Sequence, residues 1–385
     1  IVKSISSAMS AIIILLIIGS LTGTWLLGGI VPALIYYGVQ IIDPSFFLFA
    51  SCIVCAVTAL SIGSSWTTVA TIGVGLITIG EALNIPVEMT AGSIISGSYF
   101  GDKISPLSDT TNLASAMAEV DLIKHIKYML YTTVPSIIIS LILFLIIGAK
   151  FSGVIDSNEI NQLMLTIENN FYIGPELFLT PIIMAFLIFK KVPAFPTLFI
   201  GTILGAITAV LFQKNVIYNL SQSDLITGLD YYKVILQSMF GEIKIGDELL
   251  NSHGMFGMLN TVWLIICAMI FGGVMEKSGF LKQIANKIMT KAKSASSIVA
   301  TTGGSCMFFN LTASDQYLAI VVPGRMYKSM YKKRKLSPEN LSRTLEDTGT
   351  VTSVLVPWNT CGAYQAGILG VATIYYLPFC FFNLI

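Results

Sequence analysis

The chain has 385 residues, 54% of them hydrophobic and 11% charged, with a formal net charge of +1. Soluble domains carry about 25% charged residues, so an ordinary globular protein is excluded. The near-zero charge excludes a nucleic-acid binder held by bulk electrostatics, and the apolar content excludes a disordered chain. Mean hydropathy of +0.79 with continuous apolar runs such as 134–149 predicts an all-α polytopic membrane protein. A β-barrel would show only weak alternation over about ten residues. At roughly 20 residues per span the length has room for about ten spans. Cys52, Cys55, Cys267, Cys306, Cys361 and Cys380 all lie in apolar stretches, and the lone C-x-x-C reads as helix packing rather than a metal or redox site. His125 and His253 sit in polar stretches and make no metal site by themselves. No signal-peptide cleavage pattern is visible. Because position 1 is Ile rather than Met, the natural N-terminus is expected upstream.

In chain order, a basic end at Lys3 precedes an apolar run, and Asp43 opens an acidic side. Residues 45–80 lie between Asp43 and Glu81, both acidic boundaries, and their middle reads Ser61-Ile62-Gly63-Ser64-Ser65-Trp66-Thr67-Thr68. A stretch that begins and ends on one side predicts a re-entrant hairpin. After Glu88 comes a polar stretch around a proline, Gly101-Asp102-Lys103-Ile104-Ser105-Pro106-Leu107-Ser108-Asp109-Thr110-Thr111-Asn112. It predicts a broken helix. Lys124 and Lys127 precede the long apolar run. Acidic loops follow at Asp156, Glu159, Glu168 and Glu176, and at Asp224, Asp230, Glu242, Asp247 and Glu248, with basic Lys190 and Lys191 between them. Basic loops at 277–293 and 325–343 flank one apolar stretch, about 298–323, whose middle is Asn310-Leu311-Thr312-Ala313-Ser314-Asp315-Gln316. This predicts a second hairpin, opening to the opposite face. A second polar stretch with a proline, Glu346 to Thr360, follows it. Since cytoplasmic loops collect Lys and Arg, the residue 1 end and both basic loops are expected in the cytoplasm.

Gly63 to Gly101 is 38 residues and Asn310 to Glu346 is 36. The spacing predicts two inverted repeats, each a re-entrant hairpin followed by a broken transmembrane helix. The expected division is a first repeat over 1–149, connecting or scaffold helices with polar outer loops over 150–256, and a second repeat over 257–385. Interrupted segments in corresponding positions of the two halves mark a midplane binding site in inverted-repeat transporters.

Asp102, Lys103, Asp109, Asp315 and Asp347 are expected at membrane depth, where each costs several kcal/mol unless paired or wet. Flanking Ser, Thr and Asn make the surroundings oxygen-rich, which suits a hard cation. A buried carboxylate holds either a cation or a proton; if Na⁺ and H⁺ compete for it, exchange follows from mass action. Structural readings compete for each residue: an interfacial Asp102–Lys103 pair, an N-cap at Asp109, a turn at Asp315, a surface position for Asp347, and small-residue helix packing at 63–66.

The block from Gly97 to Ala114 resembles the signature of the NhaC-type Na⁺/H⁺ antiporter family. Gly23-Thr24-Trp25 with residues 31–38, residues 63–68, Ser314-Asp315-Gln316-Tyr317 with 322–326, 340–353 and 357–362 are similar to further blocks of that family. The resemblance covers most of the chain and is weakest between about 150 and 256. It implies a secondary antiporter of the bacterial or archaeal cytoplasmic membrane, with additional N-terminal spans and elevator-like motion of a scaffold-borne site; a homodimer is compatible with it. The family also contains malate–lactate antiporters and amino-acid carriers, so Na⁺ coupling is implied more firmly than the other cargo.

The expectation is therefore Na⁺/H⁺ exchange, with Na⁺ and H⁺ as partners beside the bilayer, no nucleic acid and no cofactor. Na⁺ is expected at Asp109, Asp102 and Asn112, with Thr110, Ser64, Ser65 and Thr67 from the first half and Asn310, Thr312, Asp315, Asn359 and Thr360 from the second. Lys103 and Asp347 are expected to balance charge or couple the ions. The alternative is Na⁺-coupled movement of a small carboxylate or amino acid, held by helix N-termini and Arg325. An enzyme is not expected, because no nucleophile–base motif accompanies the acids.

Overall fold

The computed structural model describes residues 2–41, 43–151, 157–190, 192–221, 227–245, 250–280, 283, 287 and 294–385. Asp156, Lys191, Asp224, Asp247, Glu248, Lys282, Lys291 and Lys293 of the charge pattern lie outside them. The fold is mostly helical. Among the described residues, five helical segments are long and apolar enough to cross a membrane: Met9–Leu27, Pro44–Ile62, Leu122–Phe151, Ala194–Phe212 and Gly254–Met275. A bent pair, Met164–Asn170 with Pro175–Ile188, makes a sixth if it is one span. The long helix Leu122–Gly148 exposes Val134, Ile138, Ile142 and Ile146 along one stripe. Such a stripe is costly in water and natural against lipid.

The helices near the site are α1 (Val2–Ser7), α2 (Met9–Leu27), α3 (Ile30–Ile41), α4 (Pro44–Ile62), α5 (Ser65–Thr68), α6 (Val74–Ala82), α7 (Val87–Ile104), α8 (Asp109–Ala118) and α9 (Leu122–Gly148). Their ends follow local chemistry. Asp43 caps α4 through the Ser45 amide, with Pro44 at the first turn, where a missing N–H costs nothing. Gly63 ends α4 at φ 77°, a conformation glycine adopts freely. The chain then re-enters a helix at Ser64, passes a π-turn over 69–73 and continues as α6. Pro106 ends α7, since the residue before a proline avoids helical backbone, and Ser108 caps α8.

The second half uses α10 (Ala295–Thr312), α11 (Gln316–Lys333), α12 (Pro338–Leu345) and α13 (Thr360–Leu369). The chain turns between α10 and α11 at Ser314, φ 60°, and these two helices pack together. A π-turn over 346–350 and a 3-10 turn over 353–355 lead to Asn359, which caps α13. The stretch 325–343 differs from the expected basic loop. Arg325 to Lys333 continue α11, and α12 begins at Pro338.

Packing crosses between the halves. α8 lies on α11, and α13 lies on the 69–73 turn, with Trp66 stacked on Tyr364 at 4.1 Å. A second core cluster joins Ala114 and Ala118 of α8 to Ile298, Cys306, Ile320, Tyr327 and Leu345. The sequence pattern contained no strands, yet Ile243–Lys244 and Asn251–Ser252 pair antiparallel. Two residues per strand give too short an alternation to be seen in sequence.

Candidate functional site

Four interrupted segments deliver helix N-termini to one place. Ser64, Ser108, Asp315 and Asn359 cap α5, α8, α11 and α13 in turn. Between these ends lies a cavity of about 260 Å³ whose polar lining includes Ser64, Thr67, Asp102, Asp109, Asp315 and Thr360. Gln316, Tyr317, Trp66 and Tyr364 add its amide and aromatic surface, and α2 closes it through Ala11 and Ile14. No Lys, Arg or His is among the lining residues.

The three carboxylates are aimed by different contacts. Asp102 is buried; its Oδ2 accepts the Ser65 backbone N–H at 3.0 Å and the Ser65 hydroxyl at 2.7 Å. Its Oδ1 is buried and accepts no hydrogen bond. Asp109 Oδ1 accepts the Thr110 N–H at 2.9 Å, and its Oδ2 accepts the Tyr317 hydroxyl across the two halves. Asp315 Oδ1 accepts the Leu318 N–H at 2.9 Å.

Other predicted residues serve the frame. Asn112 is exposed, and its amide donates to the Pro106 and Ser108 carbonyls at 3.0 and 2.6 Å. Thr312 donates to the Phe308 carbonyl at 2.6 Å within its own helix. Asn310 donates to the Gly349 carbonyl at 2.7 Å, and the Asn359 amide donates to the Asn310 backbone carbonyl at 3.1 Å. The Thr110 hydroxyl is turned from the cavity toward Ser108 and Glu346. Lys103 is buried on α7 and forms an ion pair with Asp347 of the second half. Asp347 also accepts from Thr132, 3.4 Å away, and lies 3.7 Å from Arg343. Arg325 is exposed on α11 and is not among the cavity's lining residues.

Glu346 was not among the residues expected at membrane depth. It is fully buried. Its Oε1 accepts the Thr110 hydroxyl at 3.0 Å and the Thr111 hydroxyl at 3.4 Å, and its Oε2 accepts the Thr350 hydroxyl at 2.9 Å. Tyr317 and Gln316 were also missed as site residues. A signal existed for Glu346: Ser342, Glu346, Thr350 and Ser353 recur at helical spacing in a polar stretch with only two other charges, Arg343 and Asp347.

Among the described residues, no group of three or more His, Cys, Asp or Glu side chains is placed to hold a metal ion. The carboxylate and hydroxyl oxygens of the lining are of the donor type that hard cations prefer. Broken helices meeting around an acidic cavity inside a bundle of apolar helices define a polytopic secondary transporter.

A profile of the Na⁺/H⁺ antiporter family matches residues 97–385, and the chain belongs to that family. It is 38% identical to the malate-2H⁺/Na⁺-lactate antiporter of Bacillus subtilis, over all of this chain and 81% of that protein. It is 35% identical to the Na⁺/H⁺ antiporter NhaC of Alkalihalophilus pseudofirmus, over 99% of this chain and 80% of the relative. Identity to the arginine/ornithine antiporter ArcD of Halobacterium salinarum is 34%, over all of this chain and 78% of that protein.

Proposed function

We propose that this protein exchanges Na⁺ for H⁺ across the cytoplasmic membrane of a bacterium or archaeon. The observation that carries the reading is the cavity: three carboxylates, no cationic lining residue, and a buried Asp102 oxygen without a hydrogen-bond partner. Unneutralised charge at membrane depth is costly, so occupation by either cation stabilises the cluster and each disfavours the other. Asp102, Asp109 and Asp315 bind the cargo cation in this reading. The positive ends of α8, α11 and α13 oppose it, which keeps binding weak enough for release. Asn112 and Thr312 support the broken helices.

The matched breaks and crossed packing favour two inverted repeats, divided as the spacing suggests. α10–α11 and the α4–α6 segment serve as the hairpins, and the site moves between faces by an elevator-like shift. The basic stretches 277–293 and 325–343 and the residue 1 end lie on the cytoplasmic side. The test is purified protein in liposomes with a trapped pH dye and an imposed Na⁺ gradient. Proton movement driven by Na⁺ alone is expected; silence in the absence of organic solutes counts against ion-only exchange.

One observation favours a second reading. The cavity volume approaches that of small-molecule pockets, roughly 300–1,000 Å³, and its wall is partly aromatic. Na⁺-coupled movement of a small organic solute fits this space. The cavity's charge suits an amine-bearing amino acid better than a dicarboxylate such as malate. Uptake of a labelled amino acid that requires Na⁺, with no Na⁺-driven proton flux in its absence, would favour this reading.

A further inference from the structure

We infer that Glu346 carries the counter-transported proton, separately from the carboxylates that face the cation. The inference rests on the exchange reading above and refines it, moving the proton from the three-carboxylate cluster to an acid beside it. Asp102, Asp109 and Asp315 each accept at least one backbone N–H. A backbone N–H can only donate, so it supports the ionised carboxylate and gives nothing to the protonated oxygen. Glu346 has a different partner set. All three of its hydrogen bonds come from hydroxyls, those of Thr110, Thr111 and Thr350. A hydroxyl donates to a carboxylate and, after rotating, accepts from a carboxylic acid. Every partner of Glu346 can therefore turn from donor to acceptor, so its surroundings satisfy both protonation states without moving backbone.

Burial and room point the same way. Glu346 is fully buried and lies outside the cavity lining. Glutamine would hold the same three hydroxyls without charge, so a structural tie alone leaves the carboxyl unexplained. An ionised carboxylate in such a place is costly unless compensated. A proton compensates it and, unlike Na⁺, needs no space of its own.

A hydroxyl path joins this group to the cavity. Thr110 Oγ1 lies 3.0 Å from Glu346 and 3.1 Å from Ser108 Oγ, and Ser108 caps α8 next to Asp109, which lines the cavity. The charged groups acting on Glu346 are Asp102 and Lys103 of α7. Asp347 on its own turn is engaged by Lys103. The other titratable groups on the elements packed around the 346–350 turn are Asp109 of α8, Cys306 of α10, Tyr317, Arg325, Tyr327, Lys328, Tyr331, Lys332 and Lys333 of α11, and Glu339 and Arg343 of α12. When Na⁺ enters beside Asp102, the Glu346 O–H bond breaks and its electron pair remains on the carboxylate. The proton leaves through Thr110 and Ser108 to water on the open side. One positive charge enters and one leaves.

The experiment compares wild type, Glu346→Gln and Thr350→Val in proteoliposomes, with ²²Na⁺/Na⁺ exchange and Na⁺-driven proton flux measured on the same preparations. The expected result is that Glu346→Gln keeps ²²Na⁺ exchange within about threefold and loses at least tenfold of proton flux. Thr350→Val, which removes one hydroxyl, is expected to keep both activities with a displaced pH midpoint for proton flux. Proton flux unchanged in Glu346→Gln overturns the inference while leaving the exchange reading intact. So does an unmoved midpoint in Thr350→Val, which serves alone if the glutamine variant does not fold. Loss of ²²Na⁺ exchange together with proton flux in a folded Glu346→Gln also overturns it, because the residue then belongs to the cation site. Absence of Na⁺-driven proton flux in the wild type overturns the exchange reading itself.

Discussion

At the first break the chain turns at Gly63, and Ser64 caps the short helix that follows. The carboxylate there arrives from α7, where Asp102 bonds Ser65 from 37 residues away. At the second break Ser314 makes the turn, and Asp315 itself caps α11. One half supplies its acid through tertiary packing and the other through local sequence. An acid held by a cap is aimed by the helix it starts. An acid held from another helix is aimed only while the two helices keep their spacing. The first half guards that spacing closely: a Cβ at Gly97 would lie 2.1 Å from the Cys52 carbonyl oxygen, and one at Gly101 2.2 Å from that of Ala56. On α10 of the second half a Cβ at Gly303 meets the Thr348 side chain at 3.1 Å and one at Gly304 meets nothing within 4 Å, whereas the close backbone approaches of that half lie elsewhere, at Gly272 and Gly362.

The largest expected effect comes from removing the acid supplied from a distance. Asp102→Asn keeps an acceptor for the Ser65 N–H and loses the charge. Removing one partner of a buried charge interaction costs about 2–5 kcal/mol, so Na⁺-dependent transport should fall about 30-fold or more in protein that still folds. Transport above a tenth of wild type would mean that Asp109 and Asp315 suffice, and the distinction between the halves would lose its functional meaning.

Next is Asp347→Asn, which leaves the Lys103 ammonium buried beside Asp102 without its anion. Loss of one member of a fully buried pair costs about 3–5 kcal/mol. The Asp347 side chain is 25% exposed, so water offsets part of this and about 2 kcal/mol is expected. The readout is a lower thermal midpoint in detergent, restored by adding Lys103→Met. Failure of that double variant to recover would locate the cost elsewhere in the 346–350 turn.

The packing contrast is tested by one methyl group in each half. Gly101→Ala drives its Cβ into the Ala56 carbonyl and should destabilise by about 1–3 kcal/mol, with weaker Na⁺ dependence as α4 and Ser65 shift away from Asp102. Gly304→Ala enters open space within a helix and should be neutral or stabilising by up to about 1 kcal/mol. Equal melting temperatures for the two variants would remove the asymmetry of spacing.

These differences also separate what sequence could show from what it could not. The breaks were legible because Gly63, Pro106 and Pro357 punctuate apolar stretches, and Asp102 and Asp109 stood out as charges within one. Their neighbours were harder to assign. Asn112 and Thr312 are short polar residues beside backbone carbonyls, and local bonds claim them in preference to the cavity. Glu346 was hidden by Asp347. Two adjacent acids follow Arg343 in a polar run, and the π-turn over 346–350 decides which of them faces inward. That turn changes the angular position of every later residue, and apolar periodicity cannot report it in a stretch with so few apolar residues. Lys103 was legible as a buried charge but not by its partner, because the pairing spans 244 residues.

The smallest effect is expected at the acid held by local sequence. Asp315→Asn preserves the cap on α11, since Asn and Asp are near-equal N-cap residues. Stability should change by less than about 0.5 kcal/mol. The charge at the cavity is lost, but the helix N-terminus already offsets part of it, by about 0.3–1 kcal/mol. Apparent Na⁺ affinity should therefore weaken by only about three- to tenfold, an order less than at Asp102. The check is the Na⁺ concentration dependence of transport, with Asp315→Ala beside it. The alanine removes cap and charge together and should add about 1 kcal/mol of destabilisation to the same affinity loss. If the asparagine and alanine variants melt together, Asp315 is not held by its cap. Its aim would then depend on contacts across the break, as Asp102 does, and both halves would present their acids by tertiary packing.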